Sequence, residues 1–369
     1  MARLKDESDL SSLAVATALR KQYPADLVAF CVTLTELRRA GREKFGERAD
    51  SMLLTRDGLE QATRMSIARH HAAVFREAGI ATIREVGPGI GGDTLAMAEA
   101  GLTVDAVELD EERVEMARVN LAGYDSVTVR RGDGLASIDA EGLWADPARR
   151  GPAGRISNPE HWAPPLSAIV AAAQRVRLAG IKVAPGIDYR YLPPAQVEWI
   201  SDGGDLVEAV IWIGRGAPAR RAIIAGGPQL TIDTPPSAPP VQVEPRQLQG
   251  YLYEPDPALI RAGGISHLCS SLDLAPVALN IAYLTGERVC SPWLTRFEIL
   301  EVLPLKSGPV RRYLAEHGVG SVEVKKRGVD VSPERFRASL RLSGPGSATV
   351  LLTPTLAGRR ALHVHREAD

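Results

Sequence analysis

Apolar residues in the first part of the chain recur at the spacing of an amphipathic helix. From about residue 9 to residue 78 they return every three or four positions, and no proline interrupts the pattern after Pro24. This spacing places apolar side chains along one face of a helix. We therefore predict a helical N-terminal region over residues 1–78. Clear examples of the pattern are Leu27, Phe30, Cys31, Leu34 and Leu37.

The period changes at about residue 81, where short β-branched runs begin to alternate with helical stretches. Such alternation is typical of an α/β domain in which helices connect parallel strands. The last two runs are close together in the sequence and predict an antiparallel pair at the end of the sheet. We place this domain at residues 79–227. Its predicted strands are residues 81–86, 103–107, 126–130, 142–145, 180–184, 206–213 and 220–225.

A proline-rich stretch, residues 228–246, follows this domain. Prolines at this density do not continue a central strand or helix, so we predict a linker there. Residues 247–369 then predict a small α/β domain, of which the first part, to residue 286, looks helical and irregular. Its predicted strands lie near residues 297–303, 321–327, 348–353 and 360–365, and its predicted helices at residues 309–316 and 333–340.

Composition narrows the classes of protein that fit. The 369 residues carry 44 lysines and arginines against 45 aspartates and glutamates, so a net charge of -1 predicts no global attraction to nucleic acid or to anionic membranes. Three scattered cysteines favour neither a disulfide framework nor a zinc site. No signal peptide and no run of about 20 apolar residues is evident in the sequence. We therefore expect a cytoplasmic protein without a metal.

A glycine-rich loop directly follows the first predicted strand and directly precedes a helix. Glycines in this position let the backbone approach a ligand without an intervening side chain. Their spacing alone fits two ligands, because Gly87, Gly89 and Gly92 match a dinucleotide fingerprint and Glu108 suits a ribose in either case. The loop reads Glu85-Val86-Gly87-Pro88-Gly89-Ile90-Gly91-Gly92.

Four acidic residues stand at the ends of successive predicted strands. Ligands of an open α/β sheet collect at the carboxyl ends of its strands, so we expect these acids to share one pocket. An acid at Glu85 suits a cationic amino-acid group better than a pyrophosphate, and Asp133 is well placed for an adenine amino group. The alternative is a helix-capping role, which we predict for Asp93 and Asp110. The four strand-end acids are Glu85, Glu108, Asp133 and Asp146.

With these features the sequence resembles the class I S-adenosylmethionine-dependent methyltransferases, and more narrowly a bacterial group with a THUMP-like C-terminal domain. The resemblance implies a seven-stranded Rossmann-like sheet, S-adenosylmethionine as the cofactor and no metal. It also implies that Gly87, Gly89 and Gly91 line the cofactor, that Glu108 binds its ribose and that Asp133 contacts its adenine. The motifs that carry it are Lys44-Phe45-Gly46, Gly58-Leu59-Glu60-Gln61-Ala62-Thr63, the glycine loop, Asp146-Pro147-Ala148-Arg149-Arg150, Pro185-Gly186-Ile187-Asp188 and Tyr251-Leu252-Tyr253-Glu254-Pro255-Asp256-Pro257.

The segment after the fourth predicted strand is the candidate acceptor side. Methyl transfer from a sulfonium is an in-line displacement, so the protein mainly has to position and neutralise the acceptor. Asp146, followed by Pro147, is our candidate acceptor-orienting residue or general base. Amino-directed nucleic-acid methyltransferases carry a second proline and then an aromatic residue here. This chain has Ala148 and Arg149 instead, which weakens the case for an exocyclic amine as acceptor.

Several basic residues are candidates for substrate contacts near this segment. Arg149 and Arg150 have the chemistry to stack on a base or to bind a phosphate, although pairing with local acids is the alternative. Lys182 and Asp188, near the end of the fifth predicted strand, are secondary candidates at the same cleft.

The C-terminal domain is locally basic. Between residues 306 and 341 there are nine lysines and arginines against four acids. Arg311, Arg312, Lys325, Lys326 and Arg327 are our candidates for phosphate contacts, and a solvated charged face that binds nothing is the alternative. THUMP domains accompany enzymes that modify RNA, so the resemblance implies tRNA or rRNA as the substrate.

We therefore predict a methyltransferase acting on an RNA base. The alternatives are a methyltransferase acting on a protein or small molecule, an RNA-binding module that holds the cofactor without turnover, and, last, an NAD-dependent dehydrogenase.

Overall fold

The computed structural model describes residues 13–151 and 154–367. These residues fall into two units: unit 1 runs to Val197 and includes Glu208–Pro218, and unit 2 contains Glu198–Val207 and the chain from Ala219 onward. Within the described residues, no helix has the length and apolar composition required to cross a bilayer.

The N-terminal part of unit 1 is helical, as predicted; residues 1–12 of that prediction lie outside the described residues. The longest helix begins after Pro24 and ends at Gly46, whose φ of 61° is a conformation that glycine adopts without strain. A shorter helix is capped by Thr55, whose side chain accepts a hydrogen bond from the Gly58 amide. The helices are α1 (Leu13–Arg20), α2 (Ala25–Phe45), α3 (Arg56–Gln61) and α4 (Met65–Glu77), with a 3-10 turn at Gly46–Asp50.

Strands and helices then alternate through the rest of unit 1. The short strands β5 and β6 form a small hairpin of their own. The elements are β1 (Thr82–Val86), α5 (Gly92–Glu99), β2 (Thr103–Glu108), α6 (Glu111–Leu121), β3 (Val127–Arg131), β4 (Gly142–Ala145), β5 (Arg150–Gly151), β6 (Gly154–Arg155), α7 (Leu166–Ala173), β7 (Leu178–Val183), β8 (Gln196–Asp202) and β9 (Asp205–Ile213), with 3-10 turns at Pro159–His161 and Tyr189–Tyr191.

The main sheet is mixed and has nine strands, of which seven lie in the order β8-β9-β7-β4-β1-β2-β3 and two continue the sheet beyond β8. Strands β1, β2, β3, β4 and β7 are parallel, and β9 is antiparallel to β7. The α/β class I methyltransferase sheet predicted from the resemblance is therefore confirmed, with two strands more than the seven predicted. Because β1 to β4 and β7 run in the same direction, their carboxyl ends meet at one edge of the sheet.

The predicted antiparallel pairing of residues 206–213 with residues 220–225 is wrong. That strand, β9, follows β8 across a turn at Gly203 and Gly204, whose φ values are +61° and +87°. Two successive positive φ angles suit the tight turn of a hairpin, and a Gly-Gly pair between two apolar runs is a known signal for it. The sequence prediction missed β8, and with it this hairpin.

Aromatic side chains fill the core of unit 1 beneath the sheet edge. The ring centroids of Trp144 in β4 and Trp212 in β9 lie 5.8 Å apart, and Phe75 of α4 lies 5.3 Å from Trp212. Gly180 in β7 makes room for them, because a Cβ at this position would lie 2.6 Å from Trp144 and 2.7 Å from Trp212. The N-terminal helices are thus packed into the same core as the sheet.

Unit 2 begins with residues of β8 and continues with β10 (Ala219–Ile224) and β11 (Gln229–Ile232), which pair antiparallel. Strand β11 lies inside the stretch for which we predict a linker. The chain beyond it is fixed by the buried Arg220, which donates hydrogen bonds to the carbonyls of Pro236 and Ala238. The proline-rich stretch therefore follows the surface of unit 2 along defined contacts.

The remainder of unit 2 is a seven-stranded sheet in the order β13-β14-β12-β15-β18-β17-β16. The four strands and two helices predicted in its second half are present, and Ser332 caps the last helix by accepting from the Arg335 amide. The first part contains more strand than predicted. The elements are β12 (Tyr251–Pro255), α8 (Pro257–Ala262), α9 (Ile265–Leu272), β13 (Ala275–Pro276), β14 (Leu284–Gly286), β15 (Leu294–Pro304), α10 (Ser307–Glu316), β16 (Val319–Lys326), α11 (Pro333–Leu340), β17 (Gly346–Thr355) and β18 (Gly358–Arg366).

Candidate functional site

The predicted site residues of unit 1 stand at one edge of the sheet. Glu85 is the penultimate residue of β1, Glu108 ends β2 and Asp146 directly follows β4. Asp133 comes two residues after the end of β3, and Lys182 is the penultimate residue of β7. Because these five strands are parallel, their ends place the five side chains along the same rim.

The glycine loop between β1 and α5 is shaped for close approach. Gly87 has a φ of +76°, and a Cβ there would lie 2.9 Å from the Asp146 carbonyl oxygen, so any side chain would clash with backbone. Gly91, with a φ of +88°, is the N-cap of α5, and a Cβ there would press against Leu121 at 3.0 Å. Around Gly89, with a φ of +58°, a Cβ would meet no described atom within 4 Å. The loop therefore leaves open space at Gly89, while its neighbours leave no room for a side chain at Gly87 or Gly91.

Glu108 lies next to this loop and is nearly buried. Its Oε1 accepts hydrogen bonds from the amides of Leu109 and Asp110, at 2.8 and 3.2 Å, and its Oε2 accepts one from the Gly89 amide at 3.3 Å. These backbone contacts fix the carboxylate beside the glycine loop. Asp133 is different: it is exposed, and its side chain accepts a hydrogen bond from the Leu135 amide.

Glu85 is the most deeply buried acid at this edge of the sheet, with 1% of its surface exposed. Its Oε2 accepts a hydrogen bond of 2.6 Å from the Thr94 hydroxyl in α5. Burial, and then the neighbouring carboxylate of Asp93, raise the pKa of Glu85 to about 8. A buried acid whose charged form is this unfavourable gains most from a cationic ligand, because a positive charge nearby restores the carboxylate.

Asp146 is paired with Lys182. The Lys182 ammonium donates to Asp146 Oδ2 at 2.9 Å and to the Thr63 hydroxyl at 2.8 Å, and it lies 3.9 Å from Glu208 Oε2 in β9. The Lys182 side chain is 6% exposed, whereas that of Asp146 is 28% exposed. Burial alone lowers the pKa of Lys182, but Asp146 and Glu208 outweigh it, so the pKa is raised and the ammonium stays charged.

Lys182 also belongs to a closed ring of five buried side chains, which are Lys182, Thr63, Asp93, His71 and Glu208. From Lys182 it runs to the Thr63 hydroxyl, which donates to Asp93 Oδ2 at 2.7 Å. His71 Nδ1 lies 2.8 Å from Asp93 Oδ1, and His71 Nε2 lies 2.7 Å from Glu208 Oε1, an ion-pair distance at angles unfavourable for a hydrogen bond. Glu208 then returns to Lys182. The ring joins α4, α5, β7, β9 and the segment before α4.

His71 supplies one of the two positive charges of this ring. Burial alone lowers the pKa of His71, but the carboxylates of Glu208 and Asp93 outweigh it and raise the pKa to about 9. Burial alone raises the pKa of Asp93, but its contacts with His71, Lys182 and Thr63 together outweigh burial and lower it. At neutral pH the ring therefore holds an imidazolium between two acids.

Sequence reasoning missed three members of the ring, His71, Asp93 and Glu208. Asp93 is not the helix cap that we predicted: the N-cap of α5 is Gly91, and both Asp93 oxygens face Thr63 and His71. A buried carboxylate in the first helical turn has the same sequence signature as a cap, which explains the error. The predicted cap Asp110 is confirmed, since its side chain accepts from the Arg113 amide.

The other predicted residues of this region have different settings. Pro147 is buried, and the carbonyl of the half-buried Arg149 accepts a hydrogen bond from the Ile156 amide. The side chain of Arg150 lies outside the described residues. Asp188 is exposed; it caps the 3-10 turn at the Arg190 amide and pairs with the Arg190 guanidinium at 2.9 Å. The described contacts therefore bring together Lys182 and Asp146, and leave Asp188 with a local partner.

The predicted phosphate contacts in unit 2 divide into two groups. Arg311 and Arg312 in α10 and Lys326 in β16 are exposed. Lys325 and Arg327 instead pair with Glu254, at 2.5 and 3.3 Å, and lie over aromatic rings of their own unit. The ion pairs with Glu254 reduce the positive charge that these two side chains can offer to a polyanion.

Known proteins match both the whole chain and its C-terminal part. An uncharacterised S-adenosylmethionine-dependent methyltransferase of Mycobacterium tuberculosis, found in strains CDC 1551 and H37Rv, is 30% identical over 348 residues, which cover 90% of this chain and 94% of the relative. This chain belongs to the S-adenosylmethionine-dependent methyltransferases. The THUMP domain-like family matches residues 294–366 of the methyltransferase, as the sequence resemblance predicted. The dinucleotide-binding alternative is thereby set aside.

A solved structure shares the fold along almost the full length. A candidate methyltransferase from Porphyromonas gingivalis W83 superposes with a TM-score of 0.75 at 20% identity, covering 94% of this chain and 92% of that one. The match shows that the two chains share the fold.

The rim fits the cofactor of this family. S-adenosylmethionine combines an adenosine with a cationic amino-acid tail. The open space at Gly89 gives room for such a ligand, and Glu108 presents a fixed carboxylate where ribose hydroxyls would donate. The buried Glu85 has the chemistry to face the ammonium. Among the described residues, no group of three or more His, Cys, Asp or Glu side chains is arranged to hold a metal ion.

Replacing Glu108 by Gln is expected to weaken the binding of S-adenosylhomocysteine about ten- to a hundredfold. Hydrogen bonds to a charged acceptor contribute about 1.5–3 kcal/mol, and the amide removes the charge while keeping the shape. Isothermal titration calorimetry measures the effect. Glu112→Gln, at an exposed acid in the first turn of α6, is the matched control and should bind normally. Equal affinity of Glu108→Gln and wild type would remove Glu108 from the cofactor site.

Proposed function

We propose that this methyltransferase transfers a methyl group to a base in tRNA or rRNA. The observation that supports the proposal most is the match of residues 294–366 to the THUMP domain-like family, since THUMP domains accompany enzymes that modify RNA. The exposed cations Arg311, Arg312 and Lys326 of the same unit have the chemistry to bind phosphates. The acidic rim of unit 1 supplies the chemistry of transfer.

The residues at the end of β4 carry the acceptor side of this proposal. S-adenosylmethionine supplies a methyl group on a sulfonium sulfur. The acceptor nitrogen forms a bond to the methyl carbon as the carbon–sulfur bond breaks, and a proton then leaves the nitrogen. Among the described residues, Asp146 is the only partly exposed carboxylate that contacts a member of the buried ring. We assign it the role of accepting the hydrogen bond, and then the proton, of that nitrogen.

The remaining residues take binding roles in the proposal. Glu85 holds the ammonium of the cofactor, Glu108 its ribose and Asp133 its adenine, while Gly87, Gly89 and Gly91 give the backbone room to approach it. Pro147 keeps the chain after Asp146 rigid. Arg149, Arg150 and Asp188 contact the acceptor nucleotide or its phosphates. Arg311, Arg312 and Lys326 dock the RNA, with smaller contributions from Lys325 and Arg327.

The test is transfer of tritium from methyl-labelled S-adenosylmethionine. Purified methyltransferase is incubated with total RNA from a strain that lacks its gene, and nucleosides are then resolved by mass spectrometry. The proposal predicts one labelled nucleoside in tRNA or rRNA. A second arm uses cell extract with and without ribonuclease. Label that survives ribonuclease would show a protein or small-molecule acceptor, and binding of cofactor and RNA without transfer would show a non-catalytic module.

The docking role of unit 2 has its own expected result. Changing both Arg311 and Arg312 to Ala should weaken RNA binding at every sequence. It should also lower the slope of log affinity against log salt by about 1 for each phosphate that is no longer neutralised. Fluorescence anisotropy over a salt series measures both effects. The KM for RNA should rise while the affinity for S-adenosylhomocysteine stays unchanged. An unaltered salt slope would exclude these arginines from the RNA-binding surface.

A further inference from the structure

The buried ring in unit 1 holds more charged side chains than cofactor binding requires. Two cations and two carboxylates, Lys182, His71, Asp93 and Glu208, are held inside the protein by mutual contacts. Buried ion pairs of this kind are a poor way to gain stability, because desolvation offsets much of the attraction. One of the four, Lys182, stands at the carboxyl end of β7 and pairs with Asp146 after β4, so the ring reaches the candidate acceptor side.

The ring is closed to solvent except at one attached group. The side chains of its five members are at most 7% exposed, whereas Asp146, attached through Lys182, is 28% exposed. The ammonium of Lys182 donates hydrogen bonds to Thr63 and Asp146 and forms an ion pair with Glu208 at 3.9 Å. Because the Lys182 side chain is only 6% exposed, contact with an acceptor would require it to move out of these contacts. Its geometry thus points toward Asp146 and not toward a substrate.

We propose that Lys182 is a positioning residue for methyl transfer: held by Thr63 and Glu208, its ammonium fixes the Asp146 carboxylate in the single orientation that meets the acceptor. The inference rests on the acceptor role proposed for Asp146. Lys182 then acts through Asp146 and does not contact the substrate directly. The proposal also gives Thr63, from the helical N-terminal region, a role in positioning the acceptor side.

The N-terminal region is built to hold Thr63 in place. Lys44 of α2 donates hydrogen bonds of 2.8, 2.9 and 2.8 Å to the carbonyls of Leu59, Glu60 and Ala62, which ties down the end of α3 and the segment that leads to Thr63. These carbonyls lie at a helix C-terminus, where a cation is favoured. The N-terminal helices therefore reach the acceptor side through one chain of contacts: Lys44, the backbone before Thr63, Lys182 and Asp146.

Two variants separate positioning from folding. Lys182→Met removes the ammonium but keeps the chain length, and Thr63→Val removes only the hydroxyl. A misplacement of about 1 Å at a reacting group can cost about a hundredfold in rate, so we expect kcat to fall by about that factor in Lys182→Met. Loss of one anchoring hydrogen bond should lower kcat about tenfold in Thr63→Val. Thr63→Ser, which restores the hydroxyl, should recover most of the activity.

The experiment measures kcat, the KM for each substrate, the Kd for S-adenosylhomocysteine and the melting temperature for these variants. Asp146→Asn and the exposed control Lys21→Met are measured beside them. The inference predicts a loss confined to kcat, with the Kd changed less than about threefold and with Thr63→Ser near wild type. A normal kcat in Lys182→Met while Asp146→Asn is inactive would overturn it without touching the proposed function. Full activity of Asp146→Asn would instead overturn the proposed role of Asp146, on which the inference rests.

A crystal structure of Lys182→Met with S-adenosylhomocysteine tests the same point without turnover and without a known acceptor. The expected result is an Asp146 side chain that has left its wild-type position or that occupies several rotamers. If Lys182→Met does not fold, the Thr63→Val complex serves the same purpose. An Asp146 carboxylate unmoved in the variant complex would contradict the inference.

Discussion

Asp146→Asn is expected to abolish methyl transfer, with kcat lowered by about 10² to 10⁴, while cofactor binding is retained. General-base and orienting groups contribute rate factors of this size. The amide keeps the shape of the side chain but accepts a proton poorly and pairs weakly with the Lys182 ammonium at 2.9 Å. Single-turnover transfer of labelled methyl, at saturating cofactor, measures the chemical step directly.

The control for this variant is Asp125→Asn, an exposed carboxylate after α6 that contacts none of the proposed site residues in the described structure. It should transfer methyl groups at the wild-type rate. The affinity of Asp146→Asn for S-adenosylhomocysteine, measured by calorimetry, should lie within about threefold of wild type because the buried ring still has Glu208 and Asp93 to compensate Lys182 and His71. Transfer at more than about a tenth of the wild-type rate would remove Asp146 from the proton-accepting role.

His71→Leu is expected to destabilise the protein by about 3–5 kcal/mol at neutral pH. Removing one partner of a buried ion pair leaves the others uncompensated, and here Asp93 loses its ion-pair partner and Glu208 keeps only Lys182, at 3.9 Å. The effect should depend on pH. Because the folded pKa of His71, about 9, lies above its ordinary value of 6.5, the stabilisation is complete below about pH 6.5 and is lost as the pH rises through about 9.

Urea unfolding of wild type and variant between pH 6 and pH 10 measures this difference. The wild-type curve should fall toward that of His71→Leu as the pH approaches 10. Glu85, whose folded pKa of about 8 lies above its ordinary 4.5, adds a decline of the same sign to both proteins, so only the difference between them reports on His71. The exposed His161→Gln serves as control. A constant gap across this pH range would mean that His71 is neutral in the folded protein.

The rim of the site was predictable because each of its residues is marked by local sequence. An acid or glycine directly after a β-branched run marks a strand end, and strand ends of a parallel sheet meet. Glu85, Glu108 and Asp146 therefore follow from the order of strands alone. The buried ring was not predictable in this way. His71 lies in a helix and Glu208 in an apolar strand, and only tertiary packing brings them within 2.7 Å.

The fold shows the same division between local and long-range information. Helix α11 begins and ends where its Ser-Pro start and apolar spacing predict. Strand β8 was missed because Glu198 and Ser201 interrupt its apolar pattern, although both are buried in the structure. Glu198 is compensated by Arg221 of β10 at 2.6 Å, a partner more than 20 residues away in sequence. Such pairing cannot be inferred from the strand by itself.

In unit 2 the local charge count overstated the number of cations that are available to a phosphate. Lys325 and Arg327 contribute to the basic run in sequence, but both are engaged by Glu254, which lies about 70 residues earlier in the chain. Charge clusters predict phosphate contacts only where no acid from another strand reaches them.

The most direct test of the proposed site is a crystal structure of the methyltransferase with S-adenosylhomocysteine. The predicted result is a ligand across the glycine loop, with its ribose hydroxyls on Glu108, its ammonium facing Glu85 and its sulfur turned toward Asp146. A ligand bound away from Glu108, or one whose sulfur points away from Asp146, would contradict the assignment of the strand-end carboxylates to a single active site.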